Sequence, residues 1–550
     1  MTITDAVQIP VREAEASRLG YSDWPQEAVA REIRPAPDRY RNALGKFKVD
    51  RSAACAACGR CTEACLYGVH GKPAGYAFLL RPRDQFCIGT GCAETPESCV
   101  NQCPQKALTV RPNPSAECMG DARWSSDLIL STWHQAATGR PAPPHLQSRT
   151  GASGGGFDNL RFKFEVPGLA DGGTDASVCQ PGVPGLAGES ACPTTQSGAE
   201  IDTGLDLNHR GDGRPQVHID LPVYGGGMSF GSVSIHTILG KARAAAAWNT
   251  FTCTGEGGYH DRLRPYDDYV ITQVATGLFG VREDTIQRVR IVEFKYAQGA
   301  KPGLGGHLLG DKNTPAVARM REAVAGNALF SPFPFHSVYS VEDHKKHVDW
   351  IKEVNPHCLV SVKVSTPTDV DMVAVGSYYA GAHIIHLDGS YGGTGAAPDI
   401  AKKNIAMPIE YAVPKVHKFL AAEGIRDKVT LIASGGIRTA YDALKAIALG
   451  ADGVVVGTVE MVALGCVRCA CCESGRGCPR GIASTDPELM MQMTLEWATQ
   501  RLINLNFAWR EEMVDALSRL GMASIRELRG RTDVLCYLSD DAVSATEVSS

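Results

Sequence analysis

Five thiols crowd one short stretch of this 550-residue chain: Cys466, Cys469, Cys471, Cys472 and Cys478. Directly before them stand two glycine-ended apolar runs. Residues 430–434 read TLIAS and lead into Gly435-Gly436, and residues 453–456 read GVVV and lead into Gly457-Thr458. Short apolar runs closed by glycine read as buried parallel strands. Bare amides at two consecutive strand ends are how the last two loops of an eight-stranded parallel barrel hold a phosphate. The blander alternative is a pair of ordinary strand-to-helix turns. A phosphate-bearing redox cofactor beside a thiol-rich loop implies that electrons are moved.

A second thiol group lies near the start. Cys55, Cys58, Cys61 and Cys65 have the C-x2-C-x2-C-x3-C spacing of a bacterial ferredoxin loop. Cys87, Cys92, Cys99 and Cys103 follow at looser intervals, the last preceding Pro104. By ferredoxin logic Cys55, Cys58, Cys61 and Cys103 hold one 4Fe-4S cluster, and Cys65, Cys87, Cys92 and Cys99 would hold another; the looser second spacing leaves the expectation at one or two 4Fe-4S clusters. A pair of zinc knuckles is the alternative; acid-labile sulfide with iron separates the two. Cys179, Cys192, Cys253, Cys358 and Cys536 stand apart and read as incidental thiols.

The elements that would position these groups emerge from the texture of the chain. Length alone predicts two or three domains. The formal charge of −5 excludes a basic nucleic-acid-binding surface. No basic-then-apolar leader opens the chain and no apolar run is long enough to cross a bilayer. A cytoplasmic protein without membrane or nucleic-acid partners is the expectation, and in that reducing setting tight thiol clusters bind metal. The expected division is an N-terminal extension over 1–48, a ferredoxin-like two-cluster domain over 49–130 and a Gly/Pro-rich wrapping linker over 131–215. A (β/α)8 barrel with its thiol loop would follow over 216–485, and a helical tail over 486–550. Candidate barrel strands are 217–223, 250–254, 290–296, 328–331, 359–364, 383–387, 430–434 and 453–456. Barrel chemistry sits on the loops after the strands.

Those loops carry the segments TGEGG at 254–258, AQGAKPGLGG at 297–306, YGGTGA at 391–396, SGGIRT at 434–439 and GCPRGIA at 477–483. In this order they resemble the flavin-binding synthase domain of the glutamate synthase family, in the short archaeal-type form where a ferredoxin-like segment precedes an FMN-binding (β/α)8 TIM barrel. The resemblance covers about residues 50–535. It implies FMN on the barrel, a 3Fe-4S cluster on the C-terminal thiol loop and 2-oxoglutarate as acceptor of ammonia. Met228, Ser229, Lys363, Gly393, Thr394, Ser434, Gly435, Gly436, Gly457 and Thr458 would contact FMN. Glu256, Lys301 and Lys363 would be the catalytic groups. Ser229, Lys301, His307 and Arg321 would bind the dicarboxylate, and Cys466, Cys472 and Cys478 would ligate the 3Fe-4S cluster.

The residues suit those roles. Lys363 lies inside a strand, where an unpaired ammonium is costly to bury, and beside the flavin N1–C2=O edge it would stabilise the anionic reduced ring. Glu256 would hold incoming ammonia or the imine. Where the family commonly has glutamine, this chain has His307, which introduces a titrating charge. Phe333-Pro334-Phe335-His336 is more apolar than the family's usual segment there. Between Cys472 and Cys478 stands one residue more than usual, and Cys469 and Cys471 are extra thiols.

Neither an N-terminal cysteine nucleophile nor a C-terminal β-helix segment is expected of this chain. Separate glutaminase-type and β-helix-type chains, and an electron donor (ferredoxin or an NADPH-dependent subunit), are therefore expected partners. Two rival functions share many of these features. One is the N-methylglutamate synthase type, which joins methylamine to glutamate; the ferredoxin-like segment argues against it. The other is a flavin/Fe-S electron-relay subunit, against which Lys301 and Glu256 argue.

Overall fold

The computed structural model describes residues 29–39, 44–143, 146, 156–164, 200–302, 306–331, 335, 338–395, 397–473 and 476–537. Most of the expected N-terminal extension, the middle of the expected linker with Cys179 and Cys192, and the residues at 303–305, 332–334 and 336–337 lie outside them.

Eight parallel strands close into a barrel. In chain order they are β1 (Val223–Gly225), β2 (Thr252–Cys253), β3 (Val270–Ala275), β4 (Ile291–Lys295), β5 (Leu359–Ser365), β6 (Ile384–Asp388), β7 (Thr430–Ser434) and β8 (Gly453–Val456). β8 closes onto β1 with Val455 opposite Tyr224. Helices follow the strands, among them α1 (Ile235–Ala247) after β1, α2 (Pro315–Arg321) after β4 and α3 (Ala440–Ala448) after β7.

Six of the eight expected strands fall on barrel strands, and two do not. Of 217–223 only Val223 enters the barrel. His218–Ile219 instead pairs with Leu205–Asp206 as a hairpin, and Pro222, which has no amide to give a ladder, separates the two. The segment at 328–331 supplies only Leu329–Phe330, paired with His307–Leu308 outside the barrel; Phe330 is 67% exposed. The missing strand is β3, whose Thr272 and Gln273 interrupt the apolar run that would have announced it. The Lys301 loop therefore follows the fourth strand, not the third.

The barrel interior is layered, as the two-residue period of a strand dictates. Ile271, Ile291, Leu359, Ile384 and Ile432 form an apolar floor with Leu205, Leu207, Val217 and Ile219 of the hairpin beneath it. The next inward positions, two residues on, are Gln273, Glu293, Ser361, His386 and Ser434, all buried. Lys295, Lys363 and Asp388 lie above them. A dry floor and a polar upper half place the chemistry at the strand C-termini.

Outside the barrel, the expected helical tail forms one unbroken helix, Leu495–Arg519, since 506–512 contains no helix breaker; Gly521, with φ +68°, ends it. Arg501, on this helix and 1% exposed, donates to the carbonyls of Ala36, Ala463 and Trp133. Trp133 belongs to the helix Ser126–Thr138, which crosses the expected division at 130, and its indole donates to Val462 O at 2.8 Å. Nearer the N-terminus, Phe47–Arg51 and Leu108–Pro112 pair antiparallel and bracket the first eight cluster thiols. Among the described residues no helix is long and apolar enough to cross a membrane.

Candidate active site at the barrel mouth

Glu256 lies in the loop after β2, and Lys295 ends β4. Their side chains meet at 2.9 Å. Burial pushes the Glu256 carboxyl up, but Lys295, with Lys301 and Arg321 behind it, more than reverses this and holds it below the usual carboxylate range. Glu256 is thus ionised and surrounded by three cations. A methyl added to Gly306 would lie 1.7 Å from Glu256 Oε1, and one added to Gly257 would lie 2.6 Å from the Arg321 guanidinium carbon. Both glycines are needed because charged side chains occupy the space a Cβ would take.

Arg321 ends α2, only 5% exposed. It donates to Ser229 Oγ at 2.8 Å and to Phe230 O at 3.3 Å, and its Nε has no partner among the described residues. Burial lowers its pKa to about 10 despite Glu256. Lys301 is buried in the loop after β4 and forms no hydrogen bond through Nζ among the described residues. Burial, reinforced by Lys295 and only partly offset by Glu256, brings its pKa down to about 8. Cations this buried, with donors unused, fit an anionic guest.

Lys363, inward on β5, pairs with Asp388 at 3.2 Å. Burial would lower its pKa, yet Asp388 and Glu293 more than compensate and keep it charged. Asp388 also accepts from Gly299 N at 2.9 Å and from Ser434 Oγ at 2.5 Å. Ser434 Oγ meets His386 Nε2 at 2.7 Å, and His386 Nδ1 meets Glu293 at 3.0 Å. Gln273 and Ser361 complete the ring by donating to Glu293 at 2.7 and 3.0 Å. Asp388 therefore ties Lys363 to the loop that carries Lys301. Of this network only Lys363 and Ser434 were expected; Gln273, Glu293, Ser361, His386 and Asp388, like Lys295, were not. The signal was present in IVEFK and IIHLD, where charged residues alternate with apolar ones on strands buried on both faces.

The loops expected to cradle a phosphate lie side by side. Gly435 and Gly436 have φ of +96° and +81°, open only to glycine at low cost. No hydrogen bond within the described residues uses the amides of Gly435, Gly436, Gly457 or Thr458. A methyl on Gly436 would come within 3.2 Å of Arg123, one on Gly393 within 1.7 Å of Thr458 Oγ1, and one on Gly457 within 3.3 Å of Met228 Cε. The loops after β1, β6, β7 and β8 thus converge, and Arg123 reaches them from outside the barrel. Thr394 adjoins Gly393 in the same loop. The His307 ring stacks on Phe330 at 6.0 Å, and no hydrogen bond joins it to Lys301 or Arg321 among the described residues. Met228, Thr254, Gly258 and Met320 line a small cavity beside the Glu256 loop.

The thiols gather in three groups. Cys61 feels Cys55 and Cys58, and Cys99 feels Cys65, Cys87 and Cys92. Burial, then these neighbours, push the Cys99 thiol up to about 12. Cys103 packs beside this set. Near the barrel mouth, burial raises the Cys466 thiol to about 11, with Cys472 and Cys478 adding to it. A methyl on Gly395 would touch Cys472 Cβ at 2.9 Å, so this thiol loop adjoins the Gly393 loop. Cys469 is exposed. Among the described residues no three His, Cys, Asp or Glu side chains already close round a single metal ion; the thiols are near one another, not in coordination geometry.

A family model described as a conserved region in glutamate synthase matches residues 194–523. An archaeal-type glutamate synthase (NADPH) of Dehalococcoides mccartyi is 37% identical over 490 residues, covering 88% of this chain and 94% of that protein. The chain belongs to the glutamate synthase family. An archaeal glutamate synthase (NADPH) of Archaeoglobus fulgidus is 34% identical over 508 residues, covering 90% of this chain and 95% of that protein. The glutamate synthase (NADPH) large chain of Azospirillum brasilense is 37% identical over 295 residues, which are 52% of this chain and 19% of that protein. Among solved structures, a mandelate oxidase variant with an FMN adduct aligns over 75% of this chain and 91% of its own at 16% identity, with a TM-score of 0.39 that decides nothing. As a member of the glutamate synthase family the protein is an oxidoreductase acting on the CH–NH2 group of donors.

Proposed function

We propose that this protein reductively aminates 2-oxoglutarate with ammonia to L-glutamate, with electrons arriving through iron–sulfur clusters and FMN. The observation that carries the reading is the convergence of Lys295, Lys301 and Arg321 on a single carboxylate, Glu256, with Ser229 held against Arg321. Three cations against one anion leave the site positive, which suits a dicarboxylate. Lys301, with Arg321 and Ser229, would take the two carboxylates of 2-oxoglutarate. Glu256, kept ionised by Lys295, would accept hydrogen bonds from ammonia or from the imine at its Oε atoms and fix the nitrogen beside the keto carbon. Binding both ends of the substrate confines that carbon to one place. His307, next to the Gly306 that packs against Glu256, would act at the rim of the site.

The residues fit FMN. Gly435, Gly436, Gly457 and Thr458 offer amides to its phosphate, with Arg123 alongside. Met228, Ser229, Gly393, Thr394 and Ser434 would line the rest of its pocket, and Lys363 would be a buried cation for the ring's pyrimidine edge. Bound there, FMN would accept electrons singly and release them as a pair. The thiol groups fit iron–sulfur clusters by spacing and mutual proximity: two 4Fe-4S clusters on Cys55, Cys58, Cys61, Cys65, Cys87, Cys92, Cys99 and Cys103, and a 3Fe-4S cluster on Cys466, Cys472 and Cys478. Ammonia would come from glutamine through a glutaminase-type chain, with a β-helix-type chain in the same cytoplasmic assembly and a ferredoxin or an NADPH-dependent subunit as donor.

The test uses anaerobically purified protein with flavin, iron and sulfide quantified. Given dithionite, 2-oxoglutarate and ammonium, it should form glutamate. N-methylglutamate formed from methylamine and glutamate without reductant would overturn the proposal, as would protein with neither flavin nor sulfide.

A further inference from the structure

We propose that the exposed loop over residues 66–83 is the docking surface for an acidic protein that carries single electrons. The inference rests on the iron–sulfur reading above and adds the partner's chemistry and its place of contact.

The loop begins one residue after Cys65 and runs LYGVHGKPAGYAFLLRPR. Five of its large apolar side chains face solvent: Leu66, which is 91% exposed, Tyr67, Tyr76, Phe78 and Leu80. Tyr76 and Phe78 pack edge to face at 5.3 Å, which makes a standing aromatic patch. Exposed apolar side chains scattered singly need no explanation, but a packed, exposed aromatic pair on a loop with three more such side chains does.

The loop is anchored. Leu80 N donates to Gly71 O at 2.8 Å, Arg83 N to Val69 O at 2.9 Å, and Arg51 to Leu80 O at 3.0 Å. Val69 is buried with Cys61 and Cys87. One side of the loop therefore packs on the thiol core while the other presents the apolar patch.

Charge selects the partner. The loop holds Lys72, Arg81 and Arg83 and no acidic residue, in a chain whose formal net charge is −5. These three and Arg60 are exposed and form no salt bridge among the described residues. Lys72 donates to Ala57 O at 3.0 Å, placing its ammonium on the first thiol loop, where Cys58 is also exposed. Arg81 acts on the neighbouring Asp84 and the Arg83 guanidinium lies over the Phe86 ring at 5.3 Å, yet the loop keeps a net positive charge. A small apolar patch on a positive loop beside thiols suits a transient redox encounter, with little area and strong electrostatic steering. Each encounter moves one electron: the carrier is oxidised by one, the thiolate-ligated iron is reduced by one, and no bond forms or breaks. Two encounters supply the pair that one amination consumes.

The test measures electron uptake by the full-length holoprotein from a reduced acidic bacterial ferredoxin and, in parallel, from an uncharged photoreductant. For the unmodified protein the ferredoxin rate constant should fall about tenfold or more between 20 and 300 mM salt, as steered association does. The Arg81→Glu/Arg83→Glu variant should lose about tenfold at low salt and Tyr76→Ser/Phe78→Ser a comparable amount, with photoreduction unchanged in both. Iron and sulfide are assayed first, since protein lacking both refutes the cluster reading itself. With both present, ferredoxin uptake indifferent to salt and to the two variants overturns the docking surface alone. A dimer that dissociates in Tyr76→Ser/Phe78→Ser with ferredoxin uptake unmoved would assign the patch to a second copy and overturn it equally.

Discussion

Replacing Lys301 with methionine keeps the length and apolar stem of the side chain and removes its charge, and the structure predicts opposite effects on stability and binding. The ammonium is buried and its pKa is about 8 in the folded protein against an ordinary 10.5. Below pH 8 both folded and unfolded chains carry the proton, and the folded state bears the full penalty of about 3 kcal/mol for that shift. Between pH 8 and 10.5 the unfolded chain keeps a proton the folded protein has released, so stability rises with pH across that window. Lys301→Met should therefore stabilise the ligand-free protein at pH 7 by up to about 3 kcal/mol and flatten the alkaline rise. Binding moves the other way. Losing a buried, charge-assisted contact to a carboxylate costs about 2–4 kcal/mol, a factor of about 30 to 1,000 in the Kd for 2-oxoglutarate. The unmodified protein should also weaken about fivefold from pH 8 to 9, because the anion needs the protonated amine; the variant should show no such break. Calorimetric titration with 2-oxoglutarate at pH 7, 8 and 9, with denaturant unfolding in parallel, measures all of this. A variant that binds within about threefold of the parent, or a parent whose Kd is flat from pH 7 to 9, would refute the assignment of Lys301 to the substrate.

Asp388→Asn removes the counter-ion of Lys363 and should raise the midpoint potential of bound flavin by about 30–60 mV, as 1.4–2.8 kcal/mol of lost negative charge converts for a two-electron couple; an unmoved potential in a spectroelectrochemical titration would detach this pair from the flavin. Gly393→Ala drives a methyl into Thr458 and should weaken FMN binding at least about tenfold while circular dichroism stays native; unchanged FMN affinity by fluorescence titration would remove the Gly393 loop from the cradle. Arg501→Met leaves three buried carbonyls without their donor and should destabilise the fold by about 3–5 kcal/mol in denaturant unfolding, with a loss below 1 kcal/mol showing that water replaces the guanidinium.

Residues and spacings close together in the chain were legible without coordinates. The C-x2-C runs, the glycine pairs after β7 and β8 and the Lys363 strand are local patterns, because strand period and turn chemistry act over a few residues. Barrel strands that are apolar throughout were equally plain. β3 was not, since Thr272 and Gln273 break its apolar run, and the hairpin under the barrel floor was taken for a strand because an apolar segment does not reveal its pairing partner. What only the tertiary structure decided is which charges face one another. Lys295 and Glu256 lie 39 positions apart, Glu293 and His386 93 positions, and Arg321 and Ser229 92 positions. Closing eight strands into a ring brings such residues onto shared layers, and burial there turns separate charges into coupled ones. Composition carries no record of that coupling, because it depends on distance and dielectric, which exist only once the chain has folded.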